Sequence, residues 1–431
     1  MNGIFFGIVL IAFLSAAWRE FAHVPAEGVQ TPMEALSAGM IASASGAVEL
    51  ALGLVGVMTL FLGLMKVAEA GGLLVIIARL IRPLMTRLFP EVPPNHPAMG
   101  AMILNLSANA LGLGNAATPF GIRAMQELDK LNPRPGTATN SMALFLAINT
   151  SGITLLPTGV IAIRAAAGSA DPAAILPTTL FATVCATIAA ISAALIYKRF
   201  SALGPVDPAA AAMERPWVAD DAAREALPED PGGYPLWVSF LALGAILALI
   251  PATILWGKAI SPWIIPGLMM GFLLFGVLRG VRIYEVFVEG AKDGFQVALR
   301  IIPYLVAILV AVGMFRASGA MDVMVNLLGD LTARFGLPAE ALPMALLRPL
   351  SGSGAYGVMA SIINDPAIGP DSYVGYLVTT LQGSTETTFY VLAVYFGAVQ
   401  IRRIRHTLAA ALTADVVAVA AAVAICSYLF L

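Results

Sequence analysis

The sequence predicts an all-α integral membrane protein made of two inverted-topology repeats, each with a re-entrant helical hairpin and an interrupted transmembrane helix, about nine crossings in total. Three observations predict it. Hydrophobic residues make up 59% of the 431 and charged residues 12%, about half the roughly 25% charged share of a soluble domain. The mean hydropathy is +0.86, and several apolar runs approach the ~20 residues that cross a bilayer as a helix. The same succession of elements then occurs twice along the chain.

Nine runs read as crossings: 3–18, 46–66, 137–164, 172–198, 236–255, 262–279, 296–316, 372–399 and 405–430. The first lacks the basic flank of a cleaved signal and reads as a retained helix. Segments 97–121 and 338–362 are apolar but broken by Gly, Asn, Ser and Pro, and read as re-entrant hairpins. Irregular backbone at membrane depth survives only where protein or a wet cavity supplies its hydrogen bonds. Residues 204–233 are polar throughout and read as a cytoplasmic linker between a first half (1–203) and a second (234–431).

Each half then runs through a helix (from Gly46 or Gly294), an amphipathic segment (72–88 or 320–335), a broken hairpin centred on Ser107 or Ser351, an interrupted helix and a plain helix. In the first half, Arg79, Arg82 and Arg87 beside Ile76, Ile77, Leu80, Ile81 and Leu84 suit a helix lying in the interface. Counting crossings makes the units inverted. With the linker inside, Lys66, Arg79, Arg82, Arg87, Lys198, Arg199, Arg402 and Arg403 are cytoplasmic, while Arg19, Arg164, Lys258, Arg316 and Arg334 are external. That asymmetry obeys the positive-inside rule and puts the N-terminus inside and the C-terminus outside a bacterial cytoplasmic membrane.

Function classes narrow quickly. Twenty-four basic against 26 acidic residues leave no electrostatic footprint for nucleic acid. Cys185 and Cys426 sit in apolar runs and make neither a disulfide framework nor a thiolate cluster. His23, His96 and His406 lack the paired spacing of a zinc protease, no phosphate-binding G-x-x-x-x-G-K-[ST] occurs, and Ser351-Gly352-Ser353-Gly354 misses G-x-S-x-G. No enzyme and no cofactor are expected.

Interrupted helices at corresponding places of inverted repeats are the best sequence pointer to a transporter's solute site, because freed backbone groups and half-helix dipoles bind polar solutes and ions. Here the interruptions also hold the polar side chains: Asn105, Ser107, Asn109, Asn115, Asn149, Thr150, Ser151 and Thr154 in the first half. In the second they are Arg348, Ser351, Ser353, Gln382, Ser384, Thr385, Glu386, Thr387 and Thr388. A carboxylate inside a membrane helix costs about 2.5–3.5 kcal/mol on insertion scales, so Glu386 needs a partner or water. Two readings stand: Glu386 as ligand for a coupling H⁺ or Na⁺ or a donor-rich solute, or Glu386 and Arg348 as a structural pair bracing the hairpin.

The stretches Gly114-Asn115-Ala116-Ala117-Thr118-Pro119-Phe120-Gly121, Met125-Gln126-Glu127-Leu128 and Asn149-Thr150-Ser151-Gly152-Ile153-Thr154-Leu155-Leu156-Pro157 resemble spore maturation protein A. Arg348-Pro349-Leu350-Ser351-Gly352-Ser353-Gly354-Ala355 and Gln382-Gly383-Ser384-Thr385-Glu386-Thr387-Thr388-Phe389-Tyr390 resemble spore maturation protein B, as though the two were fused. The resemblance implies a nucleoside-recognition, or Gate, domain in each half, similar to parts of concentrative nucleoside transporters and of the membrane part of ferrous-iron transporter B. Two functions are weighed: a secondary transporter of a small polar solute, nucleoside-like or a small carboxylate, and a non-transporting membrane scaffold docking partner proteins. The partners are the bilayer, that solute and a further copy of the chain.

Overall fold

The computed structural model describes residues 2–21, 30–112, 114–152, 154–201, 233–323, 327, 332 and 334–431. The linker, Gly233 apart, and much of the second amphipathic segment lie outside this set. Among the described residues the chain is all-helical, its one extended pairing an isolated bridge between Thr137 and Arg403.

Helix α1 (Asn2–Phe21) leads to α2 (Pro32–Ala70), which starts on a capping box between Thr31 and Glu34. α3 (Leu73–Leu88) follows a 68° bend. The first hairpin pairs α4 (Pro97–Ala110), capped by His96, with α5 (Gly114–Lys130). The first interrupted helix is α6 (Asn140–Ser151) and α7 (Thr158–Ala166), and α8 (Leu176–Tyr197) closes the half. After α9 (Leu236–Leu278) come α10 (Ile283–Ala317), the second hairpin of α11 (Leu342–Leu347) and α12 (Gly352–Ile363), the second interrupted helix of α13 (Tyr373–Ser384) and α14 (Thr388–Ala398), and α15 (Thr407–Phe430).

Both hairpins and both interruptions fall where Gly, Asn, Ser and Pro break the apolar pattern. The first hairpin's second arm extends to Lys130, past the expected end at residue 121, and α2 and α10 begin well before the expected 46 and 296. α8 (with the 3₁₀ turn from Pro172) and α15 are long and apolar enough to cross a membrane among the described residues, and the bent α2–α3 pair makes a third.

The 43 residues of α9 cover two expected crossings without a break in helical backbone. Run straight, Ser239 and Arg279 would be about 60 Å apart. Yet Ser239 Oγ donates to Leu80 O and Arg279 Nε to Gly71 O, two carbonyls whose separation along even an extended chain is at most about 32 Å. The segment is therefore bent rather than one straight rod.

Small residues set the central packing. α2 and α10 run antiparallel in close apposition, with Gly39 against Ala317, Ser43 against Gly313, Thr59 against Gly294 and Lys66 against Gly290. A Cβ at Gly294 would sit 2.8 Å from Thr59 Cα, so only glycine permits this approach. α8 and α15 also pack together, Tyr197 meeting Thr413 near one end. Exposed Phe6, Phe13, Trp18 and Phe21 on α1 give that helix an apolar outer face, suited to acyl chains.

Candidate functional site: two broken helices that meet

Why α6 stops is visible in its last turn. Asn149 Nδ2, Thr150 Oγ1 and Ser151 Oγ bond back to the carbonyls of Phe145, Ala147 and Ile148, at 3.0, 2.9 and 3.0 Å, the local competition that makes such residues poor helix interiors. Gly152 then turns the chain at φ 15°, ψ 111°. The carbonyls freed at Ser151 and Gly152 both accept from Thr183 Oγ1 of α8. In the second break, Thr385 is fully extended (φ −138°, ψ 167°) and Ser384 Oγ bonds back to Leu381 O.

The breaks touch. Glu386 N donates to Thr150 O at 2.8 Å, and a Cβ on Gly152 would lie 3.4 Å from Glu386 Cγ. Each hairpin tip also docks on the break of its own half: Leu155 N donates to Ala110 O at 2.9 Å, and Phe389 N to Pro349 O at 3.0 Å. Thus the backbone released by the interruptions finds its partners in the other break and the tips, as irregular chain at membrane depth requires.

Side chains reinforce these junctions. Asn109 Nδ2 donates to Asn149 Oδ1 at 3.0 Å, joining first tip to first break. Arg348 Nη1 donates to Thr387 Oγ1 at 3.0 Å, joining second tip to second break. Asn105 Nδ2 reaches Ala117 O at 2.7 Å and the Tyr395 hydroxyl at 3.2 Å. Ser107 bonds within its own helix, to Ile103 O, and Ser351 caps α12 by accepting from Gly354 N. Thr154 and Ser353 are half-buried beside the junctions, and Asn115 opens α5 with its side chain outside the described set.

Among the described residues no ion pair joins Arg348 to Glu386; Arg348 Nη1 donates to Thr387 Oγ1 instead. The bracing pair considered from sequence therefore does not form. Glu386 is half-buried, and among the described residues its carboxylate has neither a hydrogen bond nor a salt bridge to protein. Four buried atoms around the junction also lack partners: Asn105 Oδ1, Gln382 Oε1, Arg348 Nε and Asp415 Oδ1. Such a density of unpaired buried polar groups is unusual, since most find a partner.

Asp415 is a buried acid at the junction that sequence reasoning passed over. It lies in the third turn of α15, 6% exposed, and its Oδ2 accepts from Thr388 Oγ1 at 2.7 Å. The signal was present, because Asp415 is the one charged residue in Thr407–Phe430. Reading 405–430 as a plain crossing hid it. A cavity of about 490 Å³ lies away from the breaks, between α2, α10, α12 and the end of α7, lined by Ser43, Glu49, Arg316, Ser361 and Asn364.

Comparisons with known proteins agree with this anatomy. A family model described as Gate, nucleoside recognition, matches residues 51–167 and 298–402. Those two ranges contain the hairpins and both breaks. Spore maturation protein B of Bacillus subtilis (strain 168) is 47% identical over 166 residues, 38% of this chain and 92% of that protein. Spore maturation protein A of the same organism is 52% identical over 137 residues, 32% of this chain and 70% of its own length. The inner membrane protein YjiG of Escherichia coli (strain K12) is 30% identical over 101 residues, 23% of this chain and 63% of that protein.

Proposed function

The chain belongs to the Gate nucleoside-recognition family of membrane proteins, and from that premise we propose that it is a secondary transporter moving a small polar solute, nucleoside-like or a small carboxylate, by alternating access. The observation that carries this reading is the meeting of two helix breaks through Glu386 N and Thr150 O, each capped by its own hairpin tip. Transporters use discontinuous helices to place unpaired backbone and half-helix ends near the midplane.

In this reading the molecule has two inverted halves, 1–203 and 234–431, joined by a cytoplasmic linker, with nine crossings and the C-terminus external. The antiparallel run of α2 against α10 supports inversion, as these helices open the two repeated units, and the bend of α9 supports two crossings in that segment. The solute site lies among Asn105–Asn115, Asn149–Thr154, Ser351–Ser353 and Gln382–Thr387. Glu386 is its open carboxylate, Gln382 and Asn105 offer free carbonyl oxygens, and Arg348 holds the second tip on Thr387. Access alternates when one tip lets go of its break: loss of the Ala110–Leu155 junction opens one side, loss of the Pro349–Phe389 junction the other.

The test is a thermal-stabilisation screen of the purified chain against nucleosides, dicarboxylates and metal ions, followed by uptake of the stabilising compound into vesicles. Glu386→Gln is expected to lower uptake at least tenfold with little loss of thermal stability, because the carboxylate holds no protein partner. Unchanged uptake in that variant would overturn the placement of the site. A chain stabilised by none of these compounds and moving none of them would overturn the transporter reading itself.

A further inference from the structure

Asp415 differs from Glu386 in everything that matters for a proton. Glu386 is only half-buried. Asp415 is 6% exposed, with Oδ2 on the Thr388 hydroxyl and Oδ1 without a hydrogen-bond partner among the described residues. Burying an ionised carboxylate with an unpaired oxygen is among the most costly arrangements a membrane helix can hold.

The surroundings are nearly free of charge. α15 packs against α8, α6, α13 and α14, and none of these four helices contains an Asp, Glu, Lys or Arg. Their titratable groups are the weak acids Cys185, Tyr197, Tyr373, Tyr376, Tyr390 and Tyr395, ordinarily neutral near pH 7. The charge that reaches Asp415 is Arg348, at the second hairpin tip. Arg348 and Asp415 thus flank the consecutive Thr387 and Thr388, each hydrogen-bonded to one of them.

Resting on the transporter reading, we propose that Asp415, rather than Glu386, binds and releases the coupling proton. An O–H bond forming on Oδ1, with the proton drawn from water, leaves Oδ2 free to keep the Thr388 bond and removes the buried charge. Loss of that proton restores a carboxylate facing Arg348. The hydroxyl of Thr388 stands on the first residue of α14, so the state of Asp415 is felt at the break itself, one residue from the Arg348–Thr387 junction. Sodium is not the ligand: one carboxylate and one hydroxyl supply too few of the several oxygens that a hard cation requires.

The test is infrared difference spectroscopy of the full chain in lipid vesicles, titrated between about pH 5 and about pH 8 with protons as the only ligand. A protonated-carboxyl carbonyl band that titrates is expected in the native chain and in Glu386→Gln, and is expected to vanish in Asp415→Asn. Should Asp415→Asn fail to fold, Thr388→Val decides: the band remains but its midpoint moves up by about one pH unit, the ionised form having lost its donor. A band that survives in Asp415→Asn, is lost in Glu386→Gln, or is unmoved in Thr388→Val overturns the proposal, as does sodium stabilisation that depends on Asp415. The readout needs no solute. Absence of transport with the titration intact would sink the transporter reading and, with it, the coupling role, leaving Asp415 a proton site; a failed titration with transport intact would sink this inference alone.

Discussion

In the first broken helix, Asn149, Thr150 and Ser151 all spend their hydrogen bonds on protein, and no charged residue stands at the break. In the second, the Glu386 carboxylate is open, Gln382 keeps a free carbonyl oxygen, and Arg348 and Asp415 flank Thr387 and Thr388. In the proposed site two breaks of one plan therefore divide the work: the first would frame it, and the second would carry its charge. Their outer ends differ in the same sense. The start of α13 is clasped by Arg164 of the other half, fully buried, ion-paired to Asp371 at 2.8 Å, bonded to Pro370 O at 2.6 Å and lying 4.5 Å from the Tyr376 ring centroid. The start of α6 is clasped by Arg405, which bonds Ala138 O and Asn140 Oδ1, both at 3.0 Å, with no ion pair among the described residues.

The largest effect that would sharpen this contrast is at the clasps. Arg164→Gln should cost about 3 kcal/mol of stability, since removing one partner of a buried pair strands the other groups, whereas Arg405→Gln should cost about 1 kcal/mol. Thermal unfolding in lipid nanodiscs measures both, and equal losses would break the asymmetry. Next is the first hairpin tip. Gly112 has φ +75°, and a Cβ there would meet Leu156 O at 2.6 Å, so Gly112→Ala should cost about 2 kcal/mol and loosen the Ala110–Leu155 junction, readable as faster amide exchange at residue 155.

A smaller effect distinguishes the first clasp by pH. Burial, Arg405 and Lys198 push the His406 ring down from 6.5 to about 4, so the unfolded chain binds this proton more readily than the folded one. Stability is fully present above about pH 6.5 and falls as pH drops toward about 4, by about 1–2 kcal/mol; His406→Gln should flatten that slope in a melting series. Smallest are the interior amides. Asn109→Ala should cost about 1 kcal/mol through its lost bond to Asn149, while Gln382→Met should leave the melting temperature nearly unchanged and abolish stabilisation by a bound solute. Equal melting losses in the two would mean that protein holds Gln382 no less firmly than Asn109, and the division of labour would fail.

Much of this was legible along the chain. The hairpins and breaks could be placed because Gly, Asn, Ser and Pro are the residues that compete with or cannot continue a helix, and no other polar cluster interrupts the apolar runs. Asp415 was equally legible as a lone acid in an apolar helix, and was missed because the run containing it has helical length and no break. The partner of Arg348 was not legible: Glu386 and Thr387 are adjacent in sequence, and side-chain direction at an extended residue chooses between them. Nor was the role of Arg164, which sequence placed at the external end of the crossing 137–164 and the fold buries against Asp371, 207 positions away.

By itself the sequence determined solvent and local form. Its apolar excess demands a bilayer, and its interruptions demand backbone that something else must satisfy. What satisfies it was decided only in three dimensions, by the meeting of Thr150 with Glu386, of each tip with its break, and of Asp415 with Thr388. The physical reason is range. Helix formation and helix breaking are set by neighbours within about four residues, while hydrogen-bond partners for freed groups come from elements far apart in the chain, and only packing brings those within bonding distance.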